Sequence, residues 1–169
     1  MAKYLNLLIV ALFACIGVAL VSCGNDDDDL NGGNSSITIN GQGYITHENC
    51  CAADITDYNS STLIDIELHP SNSDKYALFP VAKMEFVTKT EQLSEGMVFT
   101  IKEVYVALRN SSSDIDSAND YKSLVSGSIS VAKVNGANVV LQFNDLTLAN
   151  KNGKTIVIKG TMTVEHRTI

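Results

Sequence analysis

The chain has 169 residues, 45% of them hydrophobic, with 12 Lys and Arg against 19 Asp and Glu for a formal charge of −7. That balance excludes an electrostatic grip on nucleic acid or anionic lipid, both of which need a basic surface, and two prolines with abundant Val, Ile, Thr and Ser exclude a disordered chain. Four cysteines, two of them adjacent, are too few and too unevenly placed for a disulfide framework.

Met1-Ala2-Lys3-Tyr4 is a cationic start, and the apolar run that follows is uninterrupted from Leu7 to Val21. A run of about 15 residues falls short of the roughly 20 a transmembrane helix needs, so residues 1–22 read as a secretory signal peptide. It ends Leu20-Val21-Ser22-Cys23: a branched apolar residue, a small residue before the cut, and cysteine. These positions resemble the lipobox of bacterial lipoproteins. The resemblance implies cleavage after Ser22, a diacylglycerol on Cys23 Sγ and an acyl chain such as palmitate on the new α-amine. Three acyl chains anchor stably where one binds only marginally.

Loss of residues 1–22 removes Lys3 and no acidic residue, leaving a formal charge of −8. Half of that charge sits in Asp26, Asp27, Asp28 and Asp29, and such a run repels itself and stays solvated. It also resembles the acidic export signal that follows the lipidated cysteine in surface lipoproteins of the Bacteroidota, which implies an outer-membrane location facing the cell exterior. A periplasm-facing lipoprotein is the alternative. Leu30-Asn31-Gly32-Gly33-Asn34-Ser35-Ser36 continues as a linker, so residues 23–36 form a lipidated tether with a coil span on the order of 20 Å. The remaining residues, 37–169, suffice for one domain with one core.

Within that domain Ile37-Thr38-Ile39 and Gln42 to Thr46 flank Asn40-Gly41, the residue pair that a type I′ hairpin turn requires. His47 to Asp57 shows no alternation and reads as a loop or one helical turn. Thr62 to His69 alternates, with Ile64, Ile66 and Leu68 on one face and Asp65, Glu67 and His69 on the other, and stops at Pro70. Tyr76 to Val87 is interrupted by Pro80, which predicts two short pieces or an edge position, with Met84 and Phe86 inward. Met97–Ile101 and Val104–Leu108 are out of phase across Lys102-Glu103, as a bulge or tight turn would make them. A polar loop follows over 109–120.

From Leu124 onward, Ile129 and Val131 face inward, Asn135-Gly136 turns, and Val139, Leu141 and Phe143 return. Asn144-Asp145 shifts the phase to Leu146 and Leu148. After Asn152-Gly153, one face carries Ile156, Ile158, Gly160, Met162 and Val164. This is a three-stranded meander. With about eight or nine short strands in all, the pattern predicts an all-β fold, either an antiparallel β-sandwich or a partly open, lipocalin-like barrel. The meander, about residues 124–166, resembles the end of many small Bacteroidota lipoproteins with sandwich or lipocalin-like folds, and it carries no functional residue with it.

Few residue groups offer chemistry. His47, Cys50 and Cys51 could form a thiolate centre or, with His69, a zinc site, but adjacent cysteine side chains diverge where zinc sites space their pairs by two to four residues. Asp114, Asp116, Asn119 and Asp120 offer oxygen ligands without the EF-hand spacing. Asp116-Ser117-Ala118 resembles the three-residue O-glycosylation motif of exported Bacteroidota proteins, which implies a glycan on Ser117. Asp65 and Glu67 share a strand face as glycosidase carboxylates do, but so do most solvent-facing pairs. Tyr44, Tyr58, Tyr76, Tyr105 and Tyr121 could stack on sugars, although the chain has no tryptophan. The expectation is therefore a non-enzymatic lipoprotein without metal or other cofactor, bound to the membrane through its anchor, with a protein or glycan partner and no nucleic acid. A lipocalin-like carrier of an apolar small molecule and a thiol-dependent enzyme are the alternatives.

Overall fold

The computed structural model describes residues 36–46, 53–74, 77–114 and 117–168, all within one compact unit, Gly33–Ile169. Among the described residues nine strands run in chain order: β1 (Ser36–Ile39), β2 (Gln42–Ile45), β3 (Ala53–Asp57), β4 (Thr62–Pro70), β5 (Val81–Thr88), β6 (Ile101–Arg109), β7 (Asp120–Asn135), β8 (Asn138–Asn150) and β9 (Thr155–Thr168). The one described helical element is a 3-10 turn at Ser117–Asn119. The domain is all-β, as its alternation predicts.

All nine strands belong to one mixed sheet whose pairings run in a circuit. β4 to β9 follow each other as antiparallel neighbours. β9 then returns to β4 by two routes. Its first half pairs with β1, which leads through β2 to Tyr44↔Pro70. Its last residues lie parallel to β3, with Asp54↔Glu165 through Asp57↔Thr168, and β3 pairs with β4. Such a ring is consistent with either a sandwich or a partly open barrel.

The inward faces are those the sequence marks. Ile64, Ile66 and Leu68 of β4, Met84 and Phe86 of β5, Ile129 and Val131 of β7, and Ile156, Ile158, Met162 and Val164 of β9 are all buried. Each such side chain is worth about 1.5–3 kcal/mol relative to exposure. Phe86 and Phe143 meet with ring centroids 6.1 Å apart, although β5 and β8 are not sheet neighbours. Their contact crosses the interior.

Three expectations need correction. Ala53–Asp57 is a strand rather than a loop or helical turn, because β4 and β9 hold it from both sides and sheet context outweighs the weak local pattern. Pro80 neither divides β5 nor puts it at an edge: the strand begins at Val81 and pairs with both β4 and β6. His69 is on the outer face of β4 but is fully buried. Its Nδ1 lies 3.0 Å from Pro80 O, and a carbonyl only accepts, so Nδ1 carries the hydrogen. The expected phase breaks are present, as Lys102 is skipped between Val87↔Glu103 and Thr88↔Ile101, and the β8–β9 register shifts between Phe143 and Leu146.

Candidate functional site

β7 is the longest strand, and one part of it is unlike the rest of the sheet. Lys122 to Gly127 is exposed at every position, so neither face of the strand is covered there, and Leu124 and Val125 are 43% and 58% exposed. Adjacent apolar residues break the alternation that governs Ser128 to Val131. Register shifts against β8 accompany the break, between Tyr121 and Ser123, Leu124 and Ser126, and Ser126 and Ser128.

At the Tyr121 end of this stretch β6 and β7 are joined by only two residue pairs, Val106↔Tyr121 and Ala107↔Asp120. A charge cluster reinforces them. Arg109 Nη2 donates to the carboxylate of Asp120 and to Tyr105 Oη at 3.1 Å. Lys122 Nζ lies 3.7 Å from Asp120 Oδ2 and 5.0 Å from the centre of the Tyr105 ring. Burial disfavours the charged Arg109 guanidinium, but its hydrogen bond and ion pair with Asp120 outweigh that and hold its pKa above the ordinary value. Two cations share the Asp120 carboxylate, and the charge of Asp114 also acts on Arg109.

A second feature lies on the outer face of β3, β4, β5 and β9. Cross-strand register places Glu165, Asp54, Asp65 and Glu85 in one row. Arg167 neutralises the Glu165 end, reaching Glu165 at 2.7 Å and Asp54 at 3.3 Å, while Lys83 is held by Glu67 at 3.2 Å. Asp65 and Glu85 therefore face each other as like charges. Desolvation by burial, and then the charges of Glu85 and Asp54, raise the Asp65 pKa. The sequence pattern gave no sign of that burial.

A carboxyl raised in the folded state favours folding only while it is protonated, so ionised Asp65 weakens the domain at neutral pH. Asp65→Asn is expected to gain about 0.5 kcal/mol at pH 7, the scale of a cross-strand pair. The gain should shrink as pH falls through the raised folded pKa and be absent below the ordinary value of 3.8. Urea unfolding of both proteins across that range checks it, and a variant less stable than the parent at pH 7 would contradict the like-charge account.

A third cluster joins Thr62, Asp57 and His166. Thr62 Oγ1 donates to Asp57 Oδ1 at 2.6 Å, and His166 Nε2 lies 2.8 Å from Asp57 Oδ2. In a nucleophilic triad the hydroxyl meets the imidazole and the carboxylate stands behind it. Here the carboxylate lies between the other two, which is not the order of a triad, and the cluster ties the end of β9 to β3.

Cys23, Ser22, Asp26 to Asp29, His47, Cys50 and Cys51 lie outside the described residues, as do Tyr76 and Asp116. Ser117 opens the 3-10 turn. Asp114 Oδ2 accepts the Asn110 backbone N–H at 3.1 Å and Asp120 is bonded to Arg109, so the two described carboxylates of the polar loop make hydrogen bonds to different partners. Among the described residues no three His, Cys, Asp or Glu side chains gather as a metal would require. Of the tyrosines read as stacking surfaces, Tyr121 is buried and so excluded, whereas Tyr58 is 48% exposed. No family model, no curated protein and no solved structure matches the chain.

Proposed function

We propose that the chain is an outer-membrane lipoprotein, anchored through acyl groups on Cys23, whose β-domain faces the cell exterior and serves as a binding or accessory module rather than an enzyme. The binding reading is carried by Leu124 and Val125, two adjacent apolar side chains left in water on a strand uncovered on both faces. Single exposed apolar residues such as Leu78 are ordinary. A contiguous pair beside unpaired backbone gains by being covered. The anchor and the outward location rest on Leu20-Val21-Ser22-Cys23 and Asp26 to Asp29. A carrier of an apolar small molecule needs room among the inward side chains, and the contact of Phe86 with Phe143 across the ring supports packing by the chain itself at that level. A thiol enzyme would depend on His47 with Cys50 or Cys51.

Cys23→Ala is expected to move the protein from the membrane fraction to the soluble fraction. Replacing Asp26 to Asp29 by asparagine should keep it in the membrane but remove the sensitivity of the domain to protease added to intact cells. Membrane retention of Cys23→Ala would overturn the anchor, and unchanged protease sensitivity of the asparagine variant would overturn the export role of the aspartates.

A further inference from the structure

The circuit of strands has an opening. The segment before β6 pairs with β7 well away from the β6 pairs: Gly96 N–H donates to Val131 O at 2.8 Å, Val131 N–H to Met97 O at 2.8 Å, and Phe99 N–H to Ile129 O at 2.9 Å. Val106 and Ala107 then pair with Tyr121 and Asp120. Between these two attachments, no pairing among the described residues joins Ile101–Tyr105 of β6 to Lys122–Ser128 of β7. Two strand edges therefore flank an opening pinned at both ends, and a strand edge presents backbone donors and acceptors together.

We propose that this opening takes a short extended peptide segment of a partner protein, added as a strand along the β7 edge, with apolar side chains over Leu124 and Val125 and a carboxylate toward Lys122. Backbone donors and acceptors at strand spacing are met by another extended backbone, and an acyl chain supplies neither. The chain itself uses the next part of the same edge in this way: Gly96–Phe99 lies on β7 with Phe99 buried and Val98 55% exposed, alternating as an added strand does. The carboxylate follows from charge, because Asp120 is already shared by Arg109 and Lys122 and the Lys122 side chain is 62% exposed. The three register shifts keep the docked segment short, on the order of four residues, since a bulged edge cannot pair with a long regular strand. They also disfavour edge-to-edge pairing of two copies. This inference deepens the binding-module reading and rests on it.

The test uses the full chain extracted in detergent with its anchor, and hydrogen exchange read by mass spectrometry. The probe is the blocked nonapeptide Gly-Met-Val-Phe-Thr-Ile-Lys-Glu-Val, the sequence of residues 96–104. Without peptide those amides of 122–128 that face the opening rather than β8 should exchange rapidly, and about 1 mM peptide should slow them roughly tenfold. Peptide methylated on alternate backbone nitrogens should give no protection. Leu124→Ser with Val125→Ser, both at exposed positions, should weaken binding about tenfold. Equal protection by the methylated peptide would reduce the site to apolar adhesion and overturn the proposal. So would absence of protection, protection already complete in the free protein, or protection that rises with protein concentration alone, which would identify a second copy as the occupant. Failure here leaves the anchor standing, because release of Cys23→Ala from the membrane is read separately.

Discussion

Gly160→Ala is expected to destabilise the domain by about 4 kcal/mol, the sum of a strained backbone and a steric clash that a packed interior cannot relax. Gly160 lies inside β9, paired on one side with Phe143 and on the other with Ile37, and its φ is 115°. A Cβ there would fall on the carbonyl oxygen of Ser36 and within 2.8 Å of the Ser36 carbonyl carbon and 3.2 Å of Ile37 Cα. These are backbone atoms and cannot rotate away. Either β1 leaves β9 and takes buried Ile37 and Ile39 with it, or β9 itself shifts. For a domain of this size the loss corresponds to a melting temperature lower by about 12 °C. Gly136, whose φ is 60° but whose Cβ would meet nothing within 4 Å, is the control. Gly136→Ala should cost about 1 kcal/mol, from conformation alone. Thermal melting that places the two variants together would remove the crowding account.

Gly160 also marks the limit of what the alternating pattern conveys. Periodicity assigns Gly160 to the inward face of its strand, together with Ile158 and Met162, but names no partner strand. The return of β1 onto β9 and the parallel seam of β3 with β9 join residues more than a hundred positions apart, and no turn residue announces them. A glycine inside an otherwise apolar strand face was the available signal, since that is where another backbone approaches closely. The meander was legible because its turns are local: Asn135-Gly136 and Asn152-Gly153 fix the registers of neighbours, and Asn144-Asp145 shows its bulge as a phase change. His69 was misplaced for the opposite reason. Its face was read correctly, but Pro80, whose carbonyl meets the imidazole, belongs to the β4–β5 connection, about which alternation is silent. The candidate surface was half visible. Leu124-Val125 breaks the alternation in plain view, whereas the divergence of β6 from β7 is a property of two strands and of neither alone.

That divergence gives the second large effect. Asp120→Asn is expected to cost about 3 kcal/mol, because it keeps the shape of the side chain but leaves Arg109 charged in a place where its side chain is only 16% exposed. Arginine does not shed its proton at any ordinary pH. Tyr105 Oη still accepts from Arg109 at 3.1 Å, but a neutral hydroxyl does not replace a carboxylate. Removing both charges should cost much less than removing one. Arg109→Met with Asp120→Leu is therefore expected to recover about 2 kcal/mol of the loss, since a partly desolvated ion pair gains little over apolar groups of similar volume. A double-mutant cycle by urea unfolding measures the coupling, and a double variant as unstable as the sum of its singles would show that the pair is not the source. The same cluster bears on function. With only Val106↔Tyr121 and Ala107↔Asp120 joining the strands at that end, the ion pair fixes where the opening beside Leu124 stops. In Asp120→Asn the amides that bond β6 to β7 at Val106↔Tyr121 and Ala107↔Asp120 should exchange faster, while those of Phe99 and Val131, which donate to Ile129 O and Met97 O on the far side, stay protected. Lengthening of the opening from the Asp120 end alone would identify the Arg109–Asp120 pair as the clasp that sets its extent.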